Sequence, residues 1–297
     1  HHEHRRQRQM CIRDRPDGTH EHIAAAAIIL ACNGYGANPA LIAEHIPEMN
    51  DALYFGHPGN QGEAILWGKA LGAELLHLSG YQGHGSVAHP HGILVTWALM
   101  MEGGIQVNAK GERFSNEHNG YSEQAVSVLG QEEKIAFNIF DERLAVLGRG
   151  FDDFNKAEES GALIKANSIE ELASKISVEP ATFCKTLAKC EQYAGGDQVD
   201  PFGRNFEPRK RLTAPYYAVK VTGALFHTQG GLRVNRNAQI CRPNGVPFDT
   251  IFACGGAACG VSGPDVSGYL SGNGLLTALS LGEIAGSKAG MMTSRSY

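Results

Sequence analysis

Apolar positions along the chain change rhythm twice. Residues 23–32 form an unbroken run of aliphatic residues and cysteine, the pattern of a strand covered on both faces. The run stops at Asn33-Gly34-Tyr35-Gly36, where a turn is expected. Asn38-Pro39 then opens a short helix, because proline in the first turn lacks only an N–H that would be unpaired there anyway. A second helix is expected over residues 61–71. From residue 84 to 221 the texture differs, with a short strand near 104–107 and charged helical stretches at 169–177 and 179–193. Two turn-rich loops follow, Gly195-Gly196-Asp197 and Asp200-Pro201-Phe202-Gly203. Asp141-Glu142-Arg143 and the charges of 152–159 read as solvated faces. The long-period pattern returns with a buried strand at 250–254 and a helix at 272–286, whose apolar positions are Leu275, Leu276, Leu279 and Ile284. The order predicts an α/β layer built from residues 16–83 and 222–297, interrupted by an α+β cap at 84–221.

Composition narrows the partners. The chain has 297 residues, 42% hydrophobic and 19% charged, with a formal charge of −5. That balance exerts no long-range pull on nucleic acid or an anionic membrane, which leaves a small-molecule substrate as the expected partner. No apolar run approaches the length of a membrane span. The seven cysteines form no C-x-x-C pair, so neither a zinc site nor a dithiol redox pair is expected; no metal is predicted, and a reduced, cytoplasmic protein fits. Thirty-seven glycines exceed the usual share of about 7%, which implies many close backbone approaches.

Residues 1–15 match no targeting pattern. The stretch from Arg5 to Asp14 resembles the translation of a common tagmentation adapter, so authentic sequence is expected to start near Pro16, inside a gene; a basic tail is the alternative.

The chemistry concentrates in three segments: His227-Thr228-Gln229-Gly230-Gly231-Leu232, then Ile251-Phe252-Ala253-Cys254-Gly255-Gly256, then Gly268-Tyr269-Leu270-Ser271-Gly272-Asn273-Gly274-Leu275. A glycine-rich helix start offers unhindered N–H groups and about half a positive charge. Upstream lie Leu30-Ala31-Cys32-Asn33-Gly34-Tyr35-Gly36, Gln61-Gly62-Glu63 and Asn108-Ala109-Lys110-Gly111-Glu112-Arg113-Phe114-Ser115-Asn116-Glu117. In this order the segments resemble the fumarate reductase and succinate dehydrogenase flavoprotein family. The resemblance implies an FAD-dependent oxidoreductase with a Rossmann-like FAD-binding layer. Asn33, Gly34, Glu63, Gly255 and Gly256 would stand at the flavin, as would Asn273, Gly274 and Leu275 at the helix start. There, N–H donors meet the negative charge that reduction leaves on the pyrimidine ring. Such flavoproteins begin with a G-x-G-x-x-G turn that holds the pyrophosphate, and none occurs in this sequence. With the adapter-like start, this implies that the first βαβ unit lies upstream and that the fragment itself holds little FAD.

The resemblance also bears on the substrate. Dicarboxylate-reducing members grip carboxylates with two arginines; those positions fall here on Tyr121 and Tyr269, and the family's proton relay falls on Trp97 and Met100. His89, Thr96 and His227 match substrate-binding positions, with Gly272 beside them. Neutral donors suit a carbonyl better than two carboxylates. Tyr269-Leu270-Ser271 is similar to the Tyr-x-Ser arrangement of ketosteroid 4-dehydrogenases, which implies Tyr121, Tyr269 and Ser271 as catalytic groups acting on a CH–CH or C=C unit beside a carbonyl. A dicarboxylate reductase and a non-catalytic fragment stay open as alternatives, and the electron partner is undetermined.

Overall fold

The computed structural model describes residues 9–14 and 18–294, and in it the apolar run at 23–32 breaks at Ala26 and Ala27. One strand covers His20–Ala25 and a second Ile28–Leu30. The first pairs antiparallel with Gln9–Asp14, so part of the segment expected to be foreign sequence sits in a ladder; residues 1–8 and 15 lie outside the described residues. The second runs parallel to Pro247–Ala253 and ends a three-stranded sheet ordered Gln239–Cys241, Pro247–Ala253, Ile28–Leu30. Burial on both faces was expected. An edge strand gains less cover, and Ile29 is 38% exposed while Leu30 is buried.

The chain divides into two units, one of residues 1–46, 56–81 and 227–297, the other of 47–55 and 82–226. The sequence reading put 47–55 in the first. The reason for the difference is a strand, Leu53–Tyr54, that pairs parallel with Ala224 and Leu225 of the long strand Tyr216–Thr228.

In the first unit, helix Pro39–His45 starts where Asn38 Oδ1 accepts from the N–H groups of Ala40 and Leu41 at 3.1 and 3.2 Å, the expected cap. Helix Glu63–Leu71 lies between Gly62 and Gly72, both left-handed. Its Ala64 joins Leu30, Leu232, Ile240, Ile251 and Ala253 in the core. The last helix, Asn273–Ser294, departs from expectation in its orientation. It buries Thr277 and Ala285 and packs Leu281 and Ile284 beside them, whereas Leu275, Leu276 and Leu279 are 53–73% exposed. Positions 277, 281 and 285 share one face at a spacing of four, and 275 and 279 fall on another.

The second unit is a sheet with a core on each face. Strand Ile135–Asp141 pairs antiparallel with residues 216–222 of the long strand. Successive side chains point to opposite faces: Ala136, Phe140, Tyr217 and Val219 pack with helices Glu142–Gly148 and Asp152–Glu159. Phe137, Ile139 and Ala218 pack with helices Ile169–Ile176 and Pro180–Gly195. Asp141, expected on a solvated face, is 1% exposed and caps the helix after it, its Oδ1 accepting from Leu144 N–H at 3.1 Å.

Candidate functional site

In the first unit the predicted residues converge where the strands end. Asn33 follows strand Ile28–Leu30 with φ 65°, and its Oδ1 accepts from Gly34 N–H at 2.9 Å. A β-carbon on Gly34 would lie 2.0 Å from the Thr228 hydroxyl, so only glycine admits this approach. Thr228 Oγ1 instead accepts from Tyr35 N–H at 3.3 Å. Gly255 and Gly256 follow strand Pro247–Ala253 in a short 3-10 turn, and Gly256 lies against Asn33 and Gly34. Glu63 stands in the first turn of its helix and acts electrostatically on Cys32, the neighbour of Asn33.

These residues fit a bound cofactor. Among the described residues Glu63 Oε2 is buried without a hydrogen-bond partner; an acceptor withdrawn from water without a donor is costly, and a hydroxyl of a bound group would supply one.

The second cluster centres on His227, at the end of the long strand. Burial pushes its pKa down, which keeps the ring neutral at neutral pH. Its ring lies over the start of helix Asn273–Ser294, where a β-carbon on Gly274 would come within 2.6 Å of Cε1 and 2.8 Å of Nε2. Glycine in that turn is therefore required by the histidine. Tyr269 meets the same ring edge-on, with centroids 5.8 Å apart. Ser271 and Gly272 are exposed and precede the helix, Gly272 with φ 93°. Leu275 is exposed in the first turn. Two residues that sequence reasoning passed over complete the cluster. Gln229 donates from Nε2 to His227 Nδ1 at 2.8 Å, and Ser262 donates to Gln229 Oε1 at 3.0 Å. Gln229 stood inside the His227-to-Leu232 segment without a role of its own, and nothing in the sequence distinguished Ser262.

The second unit holds the remaining predicted residues. His89 is exposed beyond strand Tyr81–Ala88, and its backbone N–H donates to Lys220 O at 2.8 Å. Thr96 Oγ1 accepts from Ala98 N–H at 3.3 Å. Tyr121 opens helix Tyr121–Leu129 and stacks on His84, with centroids 5.0 Å apart and planes 24° from parallel. His84 lies outside the segments singled out in the sequence. It also stacks on Phe226 at 5.4 Å and meets Trp97 edge-on, and its Nδ1 accepts from Ser86 N–H at 3.2 Å.

Burial pulls the His84 pKa from 6.5 down to about 3. Between those values the unfolded chain holds a proton at this position that the folded chain lacks, so stability falls as pH drops through that window. This group alone gives a slope of up to about 1.4 kcal/mol per pH unit. Urea midpoints of the wild type and His84→Phe, compared between neutral and acid pH, should show a shallower loss in the variant. An equal loss in both would assign the acid sensitivity to other groups.

A family model described as FAD binding domain matches residues 3–275. The chain is 31% identical over 270 residues to a probable fumarate reductase of Shewanella frigidimarina, covering 90% of this chain and 44% of that protein. Among solved structures it is similar to the open conformation of a flavocytochrome c3 fumarate reductase, at TM-score 0.73 and 29% identity, covering 92% of this chain and 47% of the other. A 3-ketosteroid Δ4-(5α)-dehydrogenase from Rhodococcus jostii, in complex with 4-androstene-3,17-dione, is similar at TM-score 0.65 and 25% identity, covering 92% and 54%. The chain thus spans about half the length of these proteins. Among the described residues no helix is long and apolar enough to cross a membrane.

Proposed function

Because the chain belongs to the FAD-binding family of fumarate reductase-like flavoproteins whose model matches residues 3–275, we propose that the complete protein is an FAD-dependent oxidoreductase acting on a C=C or CH–CH unit beside a ketone, with a ketosteroid-like substrate. One observation carries the substrate class. The two positions that the family resemblance assigns to carboxylate-gripping arginines hold tyrosines, and each tyrosine ring lies against a histidine that burial keeps uncharged: Tyr121 on His84 and Tyr269 on His227. A dianion needs fixed cations, and these two pairs supply none. A neutral carbonyl needs only a hydrogen-bond donor.

Asn33, Gly34, Glu63, Gly255 and Gly256 would hold FAD, together with the turn at Asn273, Gly274 and Leu275. Bound there, the flavin would supply hydride exchange with the substrate carbon. His227 Nε2–H donates to the substrate carbonyl oxygen, which raises the acidity of the adjacent C–H. The family resemblance implies proton transfer at that carbon for the Tyr121 phenol oxygen, orientation of the carbonyl for Tyr269 and Ser271, and binding for Thr96, His89 and Gly272. The same alternation of groups run backwards reduces the double bond.

The test is a reoxidation assay. The complete gene product is reduced anaerobically and mixed with 4-androstene-3,17-dione, with its 1,4-diene analogue or with fumarate, while flavin absorbance is followed. Reoxidation by an enone and not by fumarate is expected. Reoxidation by fumarate alone would replace this reading with the dicarboxylate one.

A further inference from the structure

His227 has two ring nitrogens, and which of them carries the proton decides whether the ring can donate toward a carbonyl. A chain of four side chains within the first unit bears on that choice. Asn273 Nδ2 donates to Ser262 Oγ at 3.0 Å, Ser262 donates to Gln229 Oε1 at 3.0 Å, and Gln229 Nε2 lies 2.8 Å from His227 Nδ1 and 3.4 Å from Nε2. The direction follows from the donor inventory. An amide NH₂ only donates, so Ser262 receives Asn273 on a lone pair and keeps its single hydroxyl proton for Gln229 Oε1. With its oxygen committed, Gln229 presents its NH₂ to the histidine, and Nδ1 must accept. The competing arrangement, Nδ1–H donating to Thr228 O, spans 3.4 Å and is the weaker by distance.

The members are fixed as well as connected. Gln229 is 4% and Ser262 5% exposed, so water does not compete freely for them. Backbone bonds hold both ends of the Gln229 segment: its N–H donates to Gly80 O and its carbonyl accepts from Gly260 N–H, each at 2.8 Å. A β-carbon on Gly260 would lie 2.9 Å from Gln229 Oε1, so glycine at that position leaves the amide oxygen its place beside Ser262.

We propose that Gln229 is a positioning residue that holds His227 as the Nε2–H tautomer, and that Ser262 and Asn273 set the orientation of the Gln229 amide. The inference rests on the reading that His227 meets a substrate carbonyl, but its main readout does not need a substrate. Loss of the donor orientation reduces turnover by at most about 10²–10³-fold, the usual worth of one polarising donor.

The experiment uses the 297-residue chain labelled with ¹⁵N-histidine, with His227 identified by its loss in His227→Ala. In the wild type, Nδ1 should resonate as an unprotonated nitrogen and Nε2 as a protonated one. Gln229→Leu should give a mixture of tautomers. Gln229→Glu, whose carboxylate accepts from Nδ1–H, should move the proton to Nδ1 and raise the ring pKa. Ser262→Ala, a smaller change, should shift the equilibrium in the direction of Gln229→Leu. A wild-type spectrum with Nδ1 protonated would overturn the proposal, as would a Gln229→Leu spectrum identical to wild type. Activity separates the two readings. The expected spectra with no enone turnover in the complete enzyme would remove the substrate reading and leave the tautomer assignment standing.

Discussion

Tyr121→Phe in the complete enzyme is expected to lower turnover of an enone substrate by roughly 10²–10⁴-fold, the usual worth of a general acid or base, with flavin content unchanged. The substitution removes one oxygen and keeps the ring, so the stack on His84 persists. That stack continues through Phe226 to Phe55, whose rings lie 4.8 Å apart and 12° from parallel. Folding should therefore be little affected, and the kinetic loss reports proton transfer rather than a displaced helix. Steady-state turnover and flavin absorbance measured on the same preparations check it. Unchanged turnover would take the proton-transfer role from Tyr121.

Glu117→Ala is expected to destabilise the second unit by about 3–5 kcal/mol, the cost of removing one partner from a buried ion pair. Glu117 is fully buried and accepts from Arg113 Nε at 2.9 Å and Nη2 at 2.7 Å, from Arg204 Nη1 at 3.0 Å and from Gln106 N–H at 3.0 Å. Burial pushes its pKa up, but the Arg113 hydrogen bonds and the charges of Arg113 and Arg204 together hold it below the usual carboxylate range. Asp200 completes the cluster with a 2.6 Å bond to Arg113 Nη1, and both guanidinium groups lie over the Phe206 ring. Without Glu117, the buried Arg204 guanidinium loses its carboxylate and keeps the carbonyl oxygens of Gly104 and Met100. Urea unfolding measures the loss, and the double variant Arg204→Met with Glu117→Leu should recover part of it, because the Arg113–Asp200 pair that remains leaves no uncompensated charge. A double variant less stable than the single one would contradict this account.

The cluster also shows where sequence reading stops. Arg113 and Glu117 were legible as a family motif, and Asp200 only as part of a turn-rich loop. Their union depends on an 87-residue separation in sequence closing in space, and no local pattern encodes that. His84 is similar. A lone histidine between glycines carries no signal of its own, and only the packing of Tyr121, Trp97 and Phe226 around it fixes its charge state.

Local physics was sufficient elsewhere. Asn38-Pro39, Ser168 and Glu179-Pro180 start helices as their capping chemistry requires, and the glycine-flanked strand ends that resemble the flavoprotein family lie together in one unit. Those features depend on interactions within a few residues, or on glycines whose missing β-carbon is visible in the sequence. The orientation of the last helix was not available in that way. Leu275, Leu276 and Leu279 form an apolar stripe as good as the one that is buried, and only contact with strand Pro247–Ala253 and its neighbours selects Thr277, Leu281 and Ala285. The break in the apolar run at Ala26 and Ala27 has the same origin, since two different partner strands pull its halves into separate ladders. Sequence alone determined the family, the capped helices and the residues able to do chemistry. Which face each element buries, which charges pair and which histidine nitrogen accepts were decided by tertiary structure, because each depends on atoms that approach only after the chain has closed on itself.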